Sequence, residues 1–348
     1  MTSRSRATRQ TIKEVAVRAG VSVGTVSNVL NSAAPVSAEL RLRVLKAIED
    51  LNYHPNHTAR SLKSNRTKMI GMVISDIVNP FFPLLVRGAE DAALEHNYLL
   101  VTFNSDSQID RERNLFHVLS RYRMDGILLV IASEDDLKHV HRAVDDGTPI
   151  VFLDRVPQGF ECDSVSIDNF DGARKCVEHL VRMGHRSIGI IGGSSNLHIA
   201  HERLRGYRAA HEAAGLTVDP DLITWGNFNL ESAHRAANVL LRGPKRPTAL
   251  FTANNVMALG ALQVMYSLGL KCPDDVAIGS FDDLPLFEAL SPALTGVAQP
   301  SYEIGYQGAE LLTRRLEGQL DSPVHVILPT QLKIRASSLP ARHERRWC

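Results

Sequence analysis

Residues 11–31 have the apolar periodicity of two short helices separated by a tight turn. They read TIKEVAVRAGVSVGTVSNVLN, and apolar side chains recur three and four positions apart in each half. Thr11 and Glu14 have the spacing of a capping box, in which two side chains satisfy free N–H groups at a helix start. Gly20 suits the left-handed conformation that ends many helices. The pattern predicts a first helix that ends near Gly20 and a second that follows it closely.

The second predicted helix has one apolar face and one face of small or polar residues. Ser22 can cap its first turn. Its inward face holds Val26, Val29 and Leu30, and its outward face holds Gly24, Ser27 and Asn28. A short helix of this kind suits the DNA major groove, so the pair is interpreted as a helix-turn-helix. The alternative is an ordinary helical hairpin that contacts only protein.

A third helix, which Ser37 can cap, completes a small domain over residues 11–55. Residues 1–10 are expected to form a disordered basic tail, and residues 56–67 form a connector too short for a stable isolated helix. The connector is either a solvated linker or a segment that folds on DNA. In the second case Leu62, close to Arg60, inserts as an apolar wedge between base steps in the minor groove.

From Met69 onward, short apolar runs alternate with amphipathic stretches. Strands are predicted at 69–75, 98–103, 126–130, 150–153, 187–192, 222–225, 249–252, 276–281, 324–328 and 331–335. Helices are predicted at 82–96, 108–120, 135–145, 169–183, 201–214, 231–241, 256–268 and 303–316. This alternation predicts an α/β fold with parallel sheets. Two runs of such units predict two lobes, which residues 163–169 connect.

The predicted domain boundaries follow from this alternation. The core spans residues 68–338, and residues 339–348 form a tail. One lobe covers 68–167 plus 300–327, and the other covers 169–298 plus 329–338.

Charge is distributed unevenly along the chain. Residues 1–68 hold 12 Lys and Arg against 4 Asp and Glu, whereas the remaining residues hold 27 against 34. A basic head on a mildly acidic body favours a nucleic-acid-binding module joined to a second function. The four cysteines are scattered, which favours neither a disulfide framework nor a zinc finger. No long apolar run or secretory signal is recognised, so a cytoplasmic protein is expected.

Polar and aromatic side chains follow the predicted strands, where ligands bind in open α/β sheets. They include Phe81, Asp154, Arg203, Phe228, Asn254 and Asp282. Aromatic plates together with carboxylate, amide and guanidinium groups suit a polyhydroxylated or polar cyclic ligand in a cleft between lobes. The alternative for each residue alone is loop or helix-cap chemistry.

No catalytic motif stands out along the chain. The sequence has no G-x-G-x-x-G, no P-loop and no G-x-S-x-G. His198 and His201, with Glu202 beside them, could imitate a metal site, but no matching ligand cluster accompanies them. His198 is therefore interpreted as a wall of the cleft. No catalytic residue, metal or cofactor is predicted.

Several longer motifs together resemble the LacI/GalR family of bacterial transcriptional regulators. The resemblance covers residues 11–338 and is carried by TIKEVAVRAGVSVGTVSNVLN, LNYHPNHTARSLKSNRTKMIG, DIVNPFF, GHRSIGIIGG, RLRGYRAA and NNVMALGAL. In that family a helix-turn-helix and a hinge helix bind operator DNA. The core resembles a periplasmic sugar-binding protein that holds a small effector between its lobes. Two chains pair to read a pseudo-palindromic operator.

The resemblance also implies roles for individual residues. The implied base readers are Val23, Gly24 and Asn28, and the implied phosphate contacts are Ser22, Thr25 and Ser27. Arg60 and Leu62 belong to the hinge that contacts the operator centre. The implied effector-binding residues are Phe81, Asp154, His198, Arg203, Phe228, Asn254 and Asp282.

The sequence therefore predicts a homodimeric, nucleoid-associated repressor whose DNA affinity is controlled by a small effector, with a sugar or sugar derivative favoured. The runner-up is a periplasmic-type solute-binding protein without a DNA role, or an enzyme built on that fold. The basic head argues against the first, and the missing catalytic constellation argues against the second.

Overall fold

The computed structural model describes residues 10–31, 34–53 and 66–339. The chain forms two compact units, Met1–Thr67 and Lys68–Cys348. Arg60, Leu62, most of the predicted connector and the predicted terminal tails lie outside the described residues.

The first unit contains the three predicted helices. They are α1 (Ile12–Ala19), α2 (Val23–Asn31) and α3 (Ala38–Asp50). The predicted capping box is formed, since Thr11 accepts from the backbone N–H of Glu14 and the Glu14 carboxylate accepts from the N–H of Thr11. Gly20 ends α1 in the left-handed region, at φ 63°. The chain therefore turns sharply enough for α2 to begin three residues later.

The apolar faces of these helices form a separate small core. Its buried members are Val15, Ala16, Ala19, Val26, Val29, Val44, Ala47 and Tyr53. Arg43 of α3 donates to the carbonyl oxygens of Ala19 and Gly20, which otherwise lack helical partners. This contact fixes the end of α1, and with it the turn before α2.

Two six-stranded sheets organise the second unit. The first sheet has the order β11-β5-β4-β3-β1-β2, with all strands parallel. Its strands are β1 (Met69–Ile74), β2 (Leu99–Asn104), β3 (Gly126–Leu129), β4 (Ile150–Leu153), β5 (Asp163–Ile167) and β11 (His325–Leu328). We call the part of the unit built on this sheet the first lobe.

The second sheet has the order β12-β10-β9-β8-β6-β7, and only β12 runs antiparallel to its neighbour. Its strands are β6 (Ile188–Gly192), β7 (Ile223–Trp225), β8 (Ala249–Thr252), β9 (Ala277–Phe281), β10 (Thr295–Ala298) and β12 (Gln331–Lys333). The part built on it is the second lobe.

Helices cover both sheets, as parallel sheets require. They are α4 (Phe81–Glu95), α5 (Ile109–Arg121), α6 (Lys138–Asp145), α7 (Asn169–Arg182), α8 (His198–Ala213), α9 (Leu230–Arg242), α10 (Asn255–Ser267), α11 (Pro285–Ala289) and α12 (Ser301–Leu316). Strand β1 is buried along almost its whole length, which matches its continuous apolar run.

The structure adds two strands that the sequence pattern did not predict. Residues 163–169, interpreted as the crossing between lobes, contain β5, which pairs with β4 and β11 in the first sheet. Strand β10 pairs with β9 and β12 in the second sheet. Both segments are short and rich in polar or small residues. Pairing with distant strands, rather than local apolar periodicity, therefore defines them.

Candidate functional site

The outward face of α2 is accessible over the positions predicted to contact DNA. Ser22 and Gly24 are exposed, Val23 is 41% exposed, and Thr25, Ser27 and Asn28 are half-buried. Val26 and Val29 are buried on the opposite face. The predicted division of this helix into two faces is confirmed, and its small and polar groups lie on the more accessible face.

The start of α2 is held by its own side chains. The hydroxyl of Ser22 accepts from the backbone N–H of Thr25 at 3.0 Å and lies 2.9 Å from the Thr25 hydroxyl. A Cβ added at Gly24 would meet only the Ser22 hydroxyl, at 3.6 Å. The absence of a side chain at Gly24 is therefore not required by protein packing.

A cavity of about 230 Å³ lies between the two lobes, at the carboxyl ends of both sheets. Its lining is Ser75, Asp76, Asn79, Phe81, Phe82, Asp106, Ser107, Asp154, Arg155, Ile199, Arg203, Asn227, Phe228, Asn229, Asn254, Asp282 and Gln299. Six of the seven residues predicted to bind an effector line it together: Phe81, Asp154, Arg203, Phe228, Asn254 and Asp282. The side chains at the strand ends therefore do converge on one place.

The seventh predicted residue, His198, lies outside this lining, and Ile199 lines the cavity instead. His198 is the first residue of α8, and its ring lies 2.9 Å from the side-chain amide of Gln158 in the first lobe. His201 contacts the carbonyl oxygen of Ser195. Among the described residues, no group of three His, Cys, Asp or Glu side chains is placed to hold a metal ion.

Arg203 is fixed from three directions. Its Nε donates to Asn169 at 2.8 Å, and a terminal nitrogen donates to the carbonyl oxygen of Ala253 at 2.5 Å. Its guanidinium carbon lies 3.7 Å from the centroid of the Phe281 ring. With only 2% of its surface exposed, Arg203 presents its remaining donors to the cavity in one orientation.

Asp282 is the matching acceptor. One carboxylate oxygen accepts from the side chain of Gln299, and the other accepts from the backbone N–H of Asn255. Burial raises the pKa of the Asp282 carboxyl, and the nearby Arg203 guanidinium opposes that rise. The charged form of Asp282 is therefore stabilised by Arg203 and by these two hydrogen bonds.

Asp154 and Arg155 form a second pair of opposite charges, which follows β4. Nε of Arg155 lies 3.9 Å from an Asp154 carboxylate oxygen, and another Arg155 nitrogen donates to the carbonyl of Ile131. Burial raises the pKa of Asp154, and the guanidiniums of Arg155 and Arg203 oppose this effect. The deeply buried charges of the cavity are therefore two guanidiniums and two carboxylates.

Several buried polar atoms at the cavity have no hydrogen-bond partner within the protein. They are Ser75 Oγ, Asp154 Oδ1, Arg155 Nε and Gln299 Oε1. Buried polar groups without partners cost free energy, so this set is suited to a ligand that both donates and accepts hydrogen bonds.

The backbone at both carboxylates lies in a sparsely populated region. Asp154 has φ 62° and Asp282 has φ 66°, each directly after the end of a strand. A left-handed residue at this point turns the chain abruptly, which aims each carboxylate into the cleft. Such conformations are concentrated at functional sites.

The cavity also includes residues that were not predicted as binding residues. Arg155 and Asn79 stand at strand ends in the sequence, but their types also suit loops and helix caps. Gln299 follows β10, and because that strand was not predicted, nothing marked Gln299 as a strand-end residue. Asn79 also accepts a hydrogen bond from the side chain of Asn255 at 2.8 Å, which joins the two lobes beside the cavity.

None of the described helices has the length and apolar composition needed to span a bilayer.

Comparison with known protein families identifies both units. Residues 11–56 match the model of the bacterial regulatory proteins of the lacI family, and residues 177–338 match the periplasmic binding protein-like domain. The first match covers the helix-turn-helix, and the second covers most of the second lobe.

Individual relatives extend the match over nearly the whole chain. The HTH-type transcriptional repressor CytR of Escherichia coli (strain K12) is 34% identical over 97% of this chain and 99% of its own length. The transcriptional regulator CelR–cellobiose complex is 34% identical, covers 94% of this chain and 100% of that one, and has a TM-score of 0.73. The lac repressor dimer bound to operator and the anti-inducer ONPF is 28% identical, covers 95% of this chain and 99% of that one, and has a TM-score of 0.84.

These full-length relatives are regulators rather than enzymes or solute-binding proteins, and they confirm the predicted family, fold class and type of function. The chain belongs to the lacI family of bacterial regulatory proteins and is a DNA-binding transcriptional regulator with an effector-binding core.

Proposed function

We propose that the chain represses transcription by binding a pseudo-palindromic operator as a homodimer in the cytoplasm. Helix α2 of each protomer enters a major groove. Its contact residues are Ser22, Val23, Gly24, Thr25, Ser27 and Asn28. The accessibility of this face supports the assignment, as does the likeness to a lac repressor dimer bound to operator.

The proposed domain division follows the two compact units. Residues 11–55 form the DNA-binding domain, residues 56–67 form a hinge, and residues 68–338 form the core. Arg60 and Leu62 contact the operator centre in this proposal, with Leu62 as the wedge. Their assignment is supported by the sequence resemblance alone.

The proposed effector is an uncharged, polyhydroxylated molecule of single-ring size, bound in the cavity between the lobes. The observation that carries this proposal is the balance of buried charge. Arg155 and Arg203 face Asp154 and Asp282, so a neutral ligand leaves the buried charges compensated. An anionic ligand would add a buried charge without a counter-charge, which is costly in a desolvated site.

The size of the cavity and its unpartnered atoms support the same class of effector. A volume of about 230 Å³ lies just below the usual range for ligand sites, about 300–1,000 Å³, which favours one ring over two. Hydroxyl groups both donate and accept. They can therefore donate to Asp154 and Gln299 and accept from Arg155. Phe81 and Phe228 offer apolar surfaces to the faces of a sugar ring.

In this proposal the effector controls DNA binding through the closure of the two lobes. Because the cavity is lined from the ends of both sheets, a ligand contacts both lobes only when they are closed. A ligand that prefers the closed state shifts the population toward it. The expected coupling to operator affinity is about 1–3 kcal/mol.

The test is a melting-temperature screen of the full-length protein. Neutral monosaccharides are compared with their phosphates, with sugar acids and with nucleobases. A ligand at about a hundred times its Kd adds roughly 2.7 kcal/mol to the free energy of unfolding. We expect the largest shift from a neutral monosaccharide, and a larger shift from a phosphate or a sugar acid would contradict the charge argument.

A further inference from the structure

A second set of hydrogen bonds joins the two lobes at the rim of the cleft. On the first lobe, Ser133 and Glu134 follow β3 and Gln158 follows β4. On the second lobe, Asn196 and His198 lie at the turn that leads from β6 into α8. We call these five residues the rim latch. None of them lines the cavity.

The contacts of the rim latch are direct. A carboxylate oxygen of Glu134 accepts from the backbone N–H of His198 at 2.6 Å. The side-chain amide of Gln158 lies 2.9 Å from the His198 ring nitrogen Nε2. The Asn196 amide donates to the Ser133 hydroxyl at 3.0 Å. Three hydrogen bonds therefore join the two lobes at this rim.

The Glu134 contact caps the helix that carries the central cavity residue. Helix α8 begins at His198 without a side-chain cap of its own, and Arg203 and Ile199 lie in its first two turns. The first N–H groups of a helix lack helical partners and carry the positive end of its dipole. A carboxylate from the opposite lobe accepts a hydrogen bond from one of these groups and also interacts favourably with the dipole. Closure thus completes the start of α8.

The rim latch contributes only a modest net free energy to closure of the lobes. Glu134 is half-buried, and burial raises the pKa of its carboxyl, although the hydrogen bond from His198 opposes this. The carboxylate therefore loses hydration when it forms the contact, which offsets part of the gain. A contact of this kind can shift an equilibrium between open and closed lobes without locking it.

We propose that the rim latch sets the balance between open and closed lobes before any effector binds. It thereby sets the effector concentration at which operator binding responds. The link to operator binding rests on the proposed function, whereas the control of lobe closure does not. Only closed protein binds a ligand that contacts both lobes. The apparent Kd for the effector is therefore inversely proportional to the closed fraction.

The test compares three variants by hydrogen–deuterium exchange of the full-length protein without any ligand. Glu134→Ala removes the acceptor, and Glu134→Gln keeps an acceptor oxygen at the same position. Glu161→Ala is the matched control, since Glu161 is an exposed carboxylate on the same lobe that does not line the cavity. The melting temperature of each variant checks that it is folded.

The informative peptides lie around Asn79 and Asn255, which form a separate contact between the lobes beside the cavity. We expect Glu134→Ala to exchange about five- to tenfold faster at these peptides as well as at residues 131–135 and 194–203. Glu134→Gln is expected to stay within about twofold of the wild type, as is Glu161→Ala.

Two results would overturn the proposal. Faster exchange confined to the neighbourhood of Glu134 and His198 would mean a local contact without control over closure. An effect of Glu134→Gln as large as that of Glu134→Ala would exclude the hydrogen bond as the cause. Because no ligand or DNA is used, either result leaves the proposed effector class and operator binding to be decided separately.

Discussion

The guanidinium of Arg203 stacks on the ring of Phe281, with 3.7 Å between the guanidinium carbon and the ring centroid. Phe281 is the last residue of β9, and Asp282 follows it directly into the cavity. The strand end that presents the acceptor therefore also supports the donor. This arrangement holds Arg203 and Asp282, two of the four buried charges of the cleft, in fixed positions rather than as mobile side chains.

Replacement of Asp282 is expected to remove the effector response and to spare DNA binding. Asp282→Asn keeps the shape of the side chain but loses the charge opposite Arg203, so we expect at least about a tenfold loss of effector affinity. Calorimetric titration with the best ligand of the melting screen measures it. Asp145→Asn, which changes an exposed carboxylate on α6, is the control. Unchanged effector affinity in Asp282→Asn would mean that the cavity is misassigned.

Arg203→Ala is also expected to lose the effector response, but at a larger cost in stability. It leaves Asp154 and Asp282 buried with one guanidinium between them, and an uncompensated buried charge costs about 3 kcal/mol or more. Urea unfolding of the two variants separates the effects. Asp282→Asn also leaves one buried charge uncompensated, but Arg203→Ala additionally loses the hydrogen bonds to Asn169 and Ala253 and the contact with Phe281. Asp282→Asn should therefore lose less stability than Arg203→Ala, and the opposite order would contradict the central structural role of Arg203.

Gly24→Ala separates folding from DNA recognition. The added methyl group meets only the Ser22 hydroxyl, and alanine favours a helix over glycine by about 1 kcal/mol. We expect equal or higher thermal stability together with altered operator affinity, because the methyl group stands on the face that meets the bases. Fluorescence anisotropy with operator DNA gives the readout. Unchanged affinity and base preference would remove Gly24 from the interface.

Leu62→Ala tests the hinge assignment, which is based on sequence alone. A wedge contributes only where the DNA can be deformed, so specific operator binding should weaken more than non-specific binding. Titrations of operator and of unrelated DNA at the same salt concentration make the comparison. An equal loss on both would show that Leu62 is not a wedge.

The core should lose stability as the pH falls below about 6.5, because of His179 and His211. Burial lowers the pKa of both imidazoles in the folded protein, so the unfolded chain binds protons more readily. The stabilisation is complete above the ordinary value near 6.5 and is lost as pH falls toward the folded pKa. Each histidine contributes a slope of up to about 1.4 kcal/mol per pH unit.

Urea unfolding from about pH 7.5 to about pH 5.5 measures this slope. His179→Gln can keep a hydrogen bond to Ser338 and no longer titrates. The pH dependence of its free energy of unfolding should therefore be less steep, by up to about 1.4 kcal/mol per pH unit. A slope identical to that of the wild type would assign the acid sensitivity to other groups.

The sequence predicted the helix-turn-helix and most of the strands because local rules define them. The capping box at Thr11 and the glycine at position 20 are short-range signals, and both appear as expected. Strand β5 was different, since its first residue, Asp163, is buried by a paired contact with Arg315 more than a hundred residues away. No local pattern predicts such a partner.

The position of His198 shows a second limit of sequence reasoning. Helix α8 begins three residues before its predicted start, and no capping side chain marks the beginning. Where a helix begins decides which of two neighbouring side chains faces inward. Ile199 thus lines the cavity, whereas His198 takes part in the rim latch.

The most direct test of the account is operator binding by the full-length protein, with and without a neutral monosaccharide and with its phosphate at the same concentration. We expect the neutral sugar to change the operator Kd by about fivefold or more, the phosphate to have little effect, and Asp282→Asn to abolish the response. No response to any neutral single-ring polyol, or a stronger response to the phosphate, would contradict a charge-balanced cleft that controls DNA binding.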